Sequence, residues 1–406
     1  MTSSFIKHYR FSLILLGSLA AGSLLGLFLK EDAQRIKFIG DIFLNLLFTV
    51  VVPLVFFSIS SAVANISSTR RLGKILAVML GLFLLTGVIA SLVMVAGVIL
   101  FSPAQGLSIQ PLSYTPPADT GVTERIVAAF TVTDFIGLFS RKNMLALILF
   151  AMLIGLAASA AKERGDAFRR WLIAGNEVMM QMIRLVMTLA PLGLGAYFAY
   201  LVGVFGPDLL GTYGRAMALY YPLSLIYFFG AFSFYIYLAG GWPLVKLFWP
   251  NIIPTSLTAL GTGSSVAAIP ANLQAAAAMN VPEDIREVVI PIGSTIHMDG
   301  SCLSAVLKIA VLFGIFGMDF TGPGTVITAV GIAILSGTVM SGIPGGGFLG
   351  EMLIVSLYGF PPEALPVAAM IGTLVDPPAT MVNAVGDNAV SILTARILAH
   401  RSLTDN

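Results

Sequence analysis

Apolar runs long enough to cross a bilayer, at roughly 20 residues per span, recur through the first 240 residues. They cover 11–29, 38–64, 75–101, 145–161, about 173–202 and about 215–240. A polar stretch with prolines, 102–123, separates the third from the fourth and reads as an exposed connection. Beyond Gly241 the texture changes, because the apolar runs shorten and Gly, Ser and Pro interrupt them. The first interruption, 262–270, lies between apolar arms at 245–260 and 271–279; the second, 340–347, lies between 325–339 and 348–358. Each arm is too short to span, so each pair predicts a re-entrant hairpin whose tip stops at mid-bilayer. A longer helix with polar residues follows each hairpin, at 288–316 and 364–398. This twofold pattern is that of an inverted repeat. Irregular backbone at membrane depth is tolerated where it lines an enclosed or wet cavity. The two tips and two broken helices are therefore expected to meet at one site.

The densest polar signal is Asp376-Pro-Pro-Ala-Thr-Met-Val-Asn-Ala-Val-Gly-Asp387. Asp376, Thr380, Asn383 and Asp387 follow the steps i, i+4, i+7 and i+11, which puts them on one helical face. A carboxylate in hydrocarbon costs several kcal/mol or more unless it is paired, solvated or ligated. Such a face is either a polar stripe holding helices together or a track for a cation and a small polar solute.

Composition narrows the class. The chain is 57% hydrophobic and 10% charged, against about 25% charged residues in soluble domains, so it is an integral membrane protein. Lys7 and Arg10, then Arg70, Arg71 and Lys74, then Lys162, Arg164, Arg169 and Arg170 fall in alternate loops. That distribution places both termini in the cytoplasm and shows no basic patch for nucleic acid. The run at 11–29 is too long for a signal-peptide core and reads as the first span. One cysteine, Cys302, excludes an intrachain disulfide, and three scattered histidines give no zinc motif. No phosphate-binding Gly-rich loop occurs, and no cofactor is expected.

At the first tip, Ser264 and Ser265 precede a turn, and exposed helix-end N–H groups suit a carboxylate. At the second, Gly342 and the glycines at 345–347 permit close approach and hinge motion, and free carbonyls there suit a hard cation. In His297-Met-Asp-Gly-Ser301, Gly300 is expected to unwind the helix beside Asp299, a candidate cation ligand or proton site.

The paired hairpins, Met298-Asp299-Gly300 and Asp376…Thr380-Met-Val-Asn383…Gly386-Asp387 resemble the glutamate-transporter family of dicarboxylate and amino acid:cation symporters. The resemblance covers essentially the whole chain. It implies an all-α integral membrane protein with eight transmembrane helices, two re-entrant hairpins and inverted repeats. It also implies a homotrimer in a bacterial inner membrane, working as an elevator. Scaffold helices one and two would occupy 1–68, and four and five 103–208. Transport-domain helix three would occupy 69–102, and 209–406 would hold helix six, both hairpins and helices seven and eight. Carried over by position, Asp376 would bind a substrate ammonium, and Asn383 with the Ser265 backbone its carboxylate. Ser264, Ser301, Ile343, Gly347, Ala379 and Thr380 would complete the pocket. Asn383, Asp387 and Asp299 would hold Na+, with Thr86, His297, Ile296, Gly337, Thr338 and Met340 as further cation-site residues.

Three departures shape the substrate expectation. Where acidic-substrate members carry Arg, three residues after Asp376, this chain has Ala379, so a bidentate partner for a second carboxylate is missing. The family's Asn before Met-Asp-Gly is His297, and Phe83, Thr86 and Gly87 on the third helix keep one side-chain oxygen. Histidine there is either a proton carrier, with a reference pKa of about 6.5, or a neutral hydrogen-bonded group. Lys308 shares a face with Ser301 and Ser304 and is either a tethered cation or a brace, with Asp387, Asp299 or Glu351 as partner. The expectation is a symporter of alanine, serine or threonine coupled to Na+, with H+ as the alternative ion. The alternatives are symport of acidic amino acids or dicarboxylates, with Lys308 or a backbone amide replacing the arginine; an intramembrane aspartyl protease using Asp299 with Asp376 or Asp387; and a channel.

Overall fold

The computed structural model describes residues 2–64, 70–103, 127, 131–140, 143–205, 208–339 and 347–404. Every regular element among them is helical. Helices α1 (Thr2–Leu29) and α2 (Lys37–Ala64) are joined by a 3-10 turn, and α3 spans Arg70–Leu100. Then come α4 (Met144–Ala160), α5 (Asp166–Met187), α6 (Ala190–Phe205) and α7 (Asp208–Ile226). Among the described residues four helical segments are long and apolar enough to cross a bilayer: Gly73–Leu100, Gly211–Thr262, Glu283–Ile315 and Ala364–Ala399.

The single span expected over 173–202 is divided. Helices α5 and α6 meet at 55°. Pro191, at the start of α6, lacks the N–H that would bond Met187 O, so the helix stops there. Helix α5 is also strongly amphipathic, and Asn176, Glu177, Gln181 and Arg184 line a shallow groove together with Val178, Met180, Met182 and Leu185.

Helix α8 (Phe232–Thr262) is two helices in one. Gly240 and Gly241 leave helical geometry, Gly241 with φ +69°, and this kink ends the sixth apolar run and starts the first hairpin arm. The arm stops at Gly263, whose φ of +59° lets its N–H reach back to Ala259 O. After a short turn, α9 (Ile269–Ala278) returns as the second arm. The second hairpin has α12 (Pro323–Val339) and α13 (Gly347–Tyr358) as arms. Its tip, with Met340 and Ile343, lies outside the described residues.

Between the hairpins run α10 (Glu283–Ile296) and α11 (Asp299–Ile315). The break expected at Gly300 occurs two residues earlier. His297 (φ −95°, ψ 102°) and Met298 (φ −131°, ψ 54°) carry it, and Gly300 lies in the first turn of α11. A methyl group at Gly300 would lie 2.7 Å from Ala379 Cα, so glycine is needed there for close approach rather than for unwinding.

The last helix, α14 (Ala364–Thr404), was expected to be broken as well, yet it runs through Pro377 and Pro378 without interruption. Pro378 cannot bond Leu374 O, and the Tyr221 hydroxyl on α7 donates to that carbonyl instead at 2.8 Å. Helices α11 and α14 are antiparallel neighbours, with Gly300 on Ala379, Ser301 at Asn383 and Lys308 beside Gly372. Every residue of α11 from Asp299 to Phe313 is buried. At one edge, Lys37 on α2 reaches Glu363, just before α14, at 3.3 Å and sits over the rings of Tyr197 and Tyr200 on α6.

Overpacking a tight core contact costs about 1–3 kcal/mol. Gly300→Ala is therefore expected to lower the Tm of the detergent-purified protein by several degrees. Gly331→Ala on α12, where an added methyl group meets nothing within 4 Å, is expected to leave it unchanged or raise it.

Candidate cation and solute site

The break at 297–298 turns the His297 side chain into the space between α3 and α14. Its Nδ1 lies 3.1 Å from Asp387 Oδ1 on α14. Its Nε2 lies 3.0 Å from Thr86 Oγ1 on α3 and 3.3 Å from Asp299 Oδ1. The ring stacks on Phe83, with centroids 4.4 Å apart and planes at 15°. Gly386 gives the ring room, since a methyl group there would lie 2.7 Å from His297 Cε1. Tyr227, in the π-helical turn Tyr227–Ala231, donates to Asp299 Oδ2 at 2.8 Å. All three ionisable groups are at most 1% exposed.

One imidazole faces two carboxylates. With the imidazole neutral the cluster carries two negative charges away from water, which is very costly. The site therefore demands positive charge, from a proton, a cation or both. Asp299 Oδ1 and Asp387 Oδ2 are buried and accept no well-formed hydrogen bond among the described residues. Orphaned carboxylate oxygens of this kind suit a hard cation.

One turn earlier along α14, Asn383 caps α11. Its Oδ1 accepts from Gly300 N–H at 2.7 Å and Ser301 N–H at 3.3 Å, two donors that a helix start leaves unpaired. Its Nδ2 donates to Ser301 Oγ at 3.1 Å and contacts Met298 Sδ at 3.2 Å. Thr380 and Ala379 are buried on the same stretch. Asp376 is partly exposed and faces the first hairpin tip, where a methyl group on Gly263 would lie 3.3 Å from its Oδ2. Ser264 and Ser265 in that tip are buried, and Ser264 Oγ accepts from Ala267 N–H at 3.2 Å. The first tip and the polar face of α14 thus come together.

The first arm of the second hairpin closes another side. A cavity of about 110 Å³ is lined by Ile296, Met298, Asp299, Gly337 and Thr338, with Gly87 on α3. Four of the expected cation-site residues therefore border one small space. Gly347 opens α13, while Ile343 and Met340 lie outside the described residues. Lys308 pairs with Glu351 on α13 at 2.8 Å, one of the three partners expected for it.

Several groups at the site are not evident in the sequence. Tyr220 donates to Gly300 O at 2.9 Å, beside the Tyr221 and Tyr227 bonds already described. Asn272 on α9 donates to Ala384 O at 2.8 Å and accepts from Asn388 Nδ2 at 2.6 Å, tying the first hairpin to α14. Tyrosines in an apolar helix read as core, although Asn388 next to Asp387 extends the polar face and was a usable signal.

Apolar helices enclosing a charged cluster mark a membrane protein with a polar site inside its helices. The family model described as the sodium:dicarboxylate symporter family matches residues 11–397, and the chain belongs to that family. The resemblance to glutamate transporters is thereby borne out, and the family is one of transporters rather than enzymes. Two similar relatives, from Rhizobium johnstonii and Rhizobium etli, are each named C4-dicarboxylate transport protein. Each is 26% identical over 399 residues, covering 94% of this chain and 87% of the relative.

Removing the Asn383 amide strands two N–H groups at the start of α11. Asn383→Ala is expected to destabilise the protein by about 1–3 kcal/mol, read as a lower Tm. Tyr227→Phe removes one donor from Asp299, and the same measurement should register a smaller loss.

Proposed function

We propose that the protein is a symporter that moves a small carboxylate-bearing solute with a cation across the membrane. The observation that carries this is the buried His297–Asp299–Asp387 cluster. It demands positive charge and, among the described residues, keeps two carboxylate oxygens without hydrogen bonds, one turn from Asn383. Cation occupancy there favours solute binding next door, and the solute favours the cation by the same factor. Asp376, Thr380, Asn383, Ser301 and the Ser264–Ser265 tip form the solute pocket in this reading. Asp299, Asp387 and the small cavity beside Gly337 form the cation side.

For the solute, the names of the relatives weigh towards a C4-dicarboxylate more than towards a neutral amino acid. A dicarboxylate is the first reading to test. The Lys308 ammonium is engaged by Glu351, so the second carboxylate would rely on backbone N–H groups and hydroxyls at the first tip. The neutral amino acid stands as the second reading. It is favoured by Asp376 facing that tip, with Ala379 where an arginine would bind a distal carboxylate.

For the coupling ion, the His297 ring occupies the room between Asp299 and Asp387, with Thr86 Oγ1 and the Tyr227 hydroxyl as neighbours. This favours H+ over Na+ at that position, while the cavity bordered by Ile296, Gly337 and Thr338 suits Na+. The wider reading is a homotrimer in a bacterial inner membrane with cytoplasmic termini. Residues 69–102 and 209–406 would move as an elevator against the scaffold at 1–68 and 103–208.

Purified protein in liposomes, given succinate, aspartate and alanine under separate Na+ and H+ gradients, tests both choices. Accumulation of succinate driven by a gradient is the expected result. Preference for alanine would select the second reading, and accumulation of none of the three would refute symport. Asp387→Asn is expected to weaken cation and solute binding together by about tenfold or more, within the usual range of coupling energies. Wild-type affinity for both would contradict the cation assignment.

A further inference from the structure

The Lys308–Glu351 pair has no part in the site as described so far. Both residues are 2% exposed, and Lys308 Nζ lies 2.8 Å from Glu351 Oε1. Lys308 projects from α11 on the face that carries Ser301 and Ser304. Glu351 sits on the first turns of α13, four residues from Gly347, where the second hairpin arm begins. The pair rests against Gly372 on α14, where a methyl group would lie 2.8 Å from Glu351 Cδ and 3.1 Å from Lys308 Nζ. Gly372 is one helical turn before Asp376, and the charges of Lys308 and Glu351 both act on Asp376.

We propose that Lys308 and Glu351 are specificity-determining residues that together set the net charge of solute the pocket accepts. The inference rests on the solute-pocket reading for the place of Asp376. With Lys308 positive and Glu351 and Asp376 negative, the group sums to one negative charge. Neutralising Glu351 brings it to zero, and neutralising Lys308 brings it to two negative charges. The two single changes therefore move the pocket in opposite directions, and the double change returns it to one. A buried ion pair exchanged for uncharged residues of similar volume often loses little stability, so fold maintenance is a weak reason for its presence. Its place beside the charge that faces the first hairpin tip gives it a different role. It supplies a cation that Glu351 holds in check, close enough for each added or lost charge to be felt by the solute.

The test compares Glu351→Gln, Lys308→Met, the double variant and Lys308→Arg. Two readouts are used: competition of uptake by succinate against alanine in liposomes, and the shift of Tm that each solute induces in detergent. Glu351→Gln should raise the preference for succinate over alanine by about tenfold, a Coulombic effect of about 1.4 kcal/mol. Lys308→Met should move the preference the other way. The double variant should return to within about threefold of wild type, and Lys308→Arg should keep the wild-type preference even where its Tm falls. Variants that scale both solutes by one common factor would overturn the proposal, because a purely structural pair does that. Should either single variant fail to fold, the remaining single variant and the double variant carry the same comparison. Wild-type protein that transports no solute but still binds them would defeat symport, and the Tm shifts would then decide on the pair.

Discussion

The backbones of α11 and α14 approach so closely at Gly300 and Ala379 that no side chain fits between them. This contact fixes the register of two antiparallel helices, and register decides which polar groups meet. Towards one end it delivers Asp387 to His297, and at the middle it delivers Asn383 to the start of α11. Towards the other end it sets Gly372 beneath Lys308 and Glu351. A shift of one helical turn would separate all three sets and leave charges buried alone, each costing several kcal/mol. Close packing and charge pairing therefore select the same arrangement.

The surrounding elements complete what the seam leaves unpaired. Helix α7 contributes three tyrosine hydroxyl groups from itself and the π turn that follows. They serve Gly300 O, Leu374 O and Asp299. Helix α3 contributes Thr86 and the flat face of Phe83. The three acceptors of the tyrosine hydroxyl groups at membrane depth are thus met by protein donors, as hydrocarbon requires. Among the described residues, one oxygen each of the Asp299 and Asp387 carboxylates, beside the His297 ring, lacks such a donor.

Much of this was legible in the sequence for a physical reason. Irregular backbone is stable at membrane depth only against protein or a wet cavity, so the interruption at 262–270 implies a turn enclosed by other helices. The stripe Asp376, Thr380, Asn383 and Asp387 followed from helical spacing, and Glu351 stood among the partners foreseen for Lys308. What stayed hidden depended on contacts between distant segments. Pro377 and Pro378 suggested a break because nothing local shows that Tyr221, over 150 residues earlier, serves Leu374 O. Gly300 suggested unwinding because its contact with Ala379 is tertiary. Ala379 points towards a neutral amino acid, whereas the relatives' names point towards dicarboxylates, and one missing arginine is a cue to a single contact of the pocket.

Lys37 offers a last consequence. It joins α2 and the rings of α6 to Glu363 at the foot of α14, with each charged side chain about a quarter exposed (24% and 21%). Any sliding of α14 past α2 along the bilayer normal must part them. Because water reaches both groups, that rupture costs at most about 1 kcal/mol. In the elevator reading proposed above, the tether would act as a detent, a shallow notch that marks a resting height and yields to thermal motion.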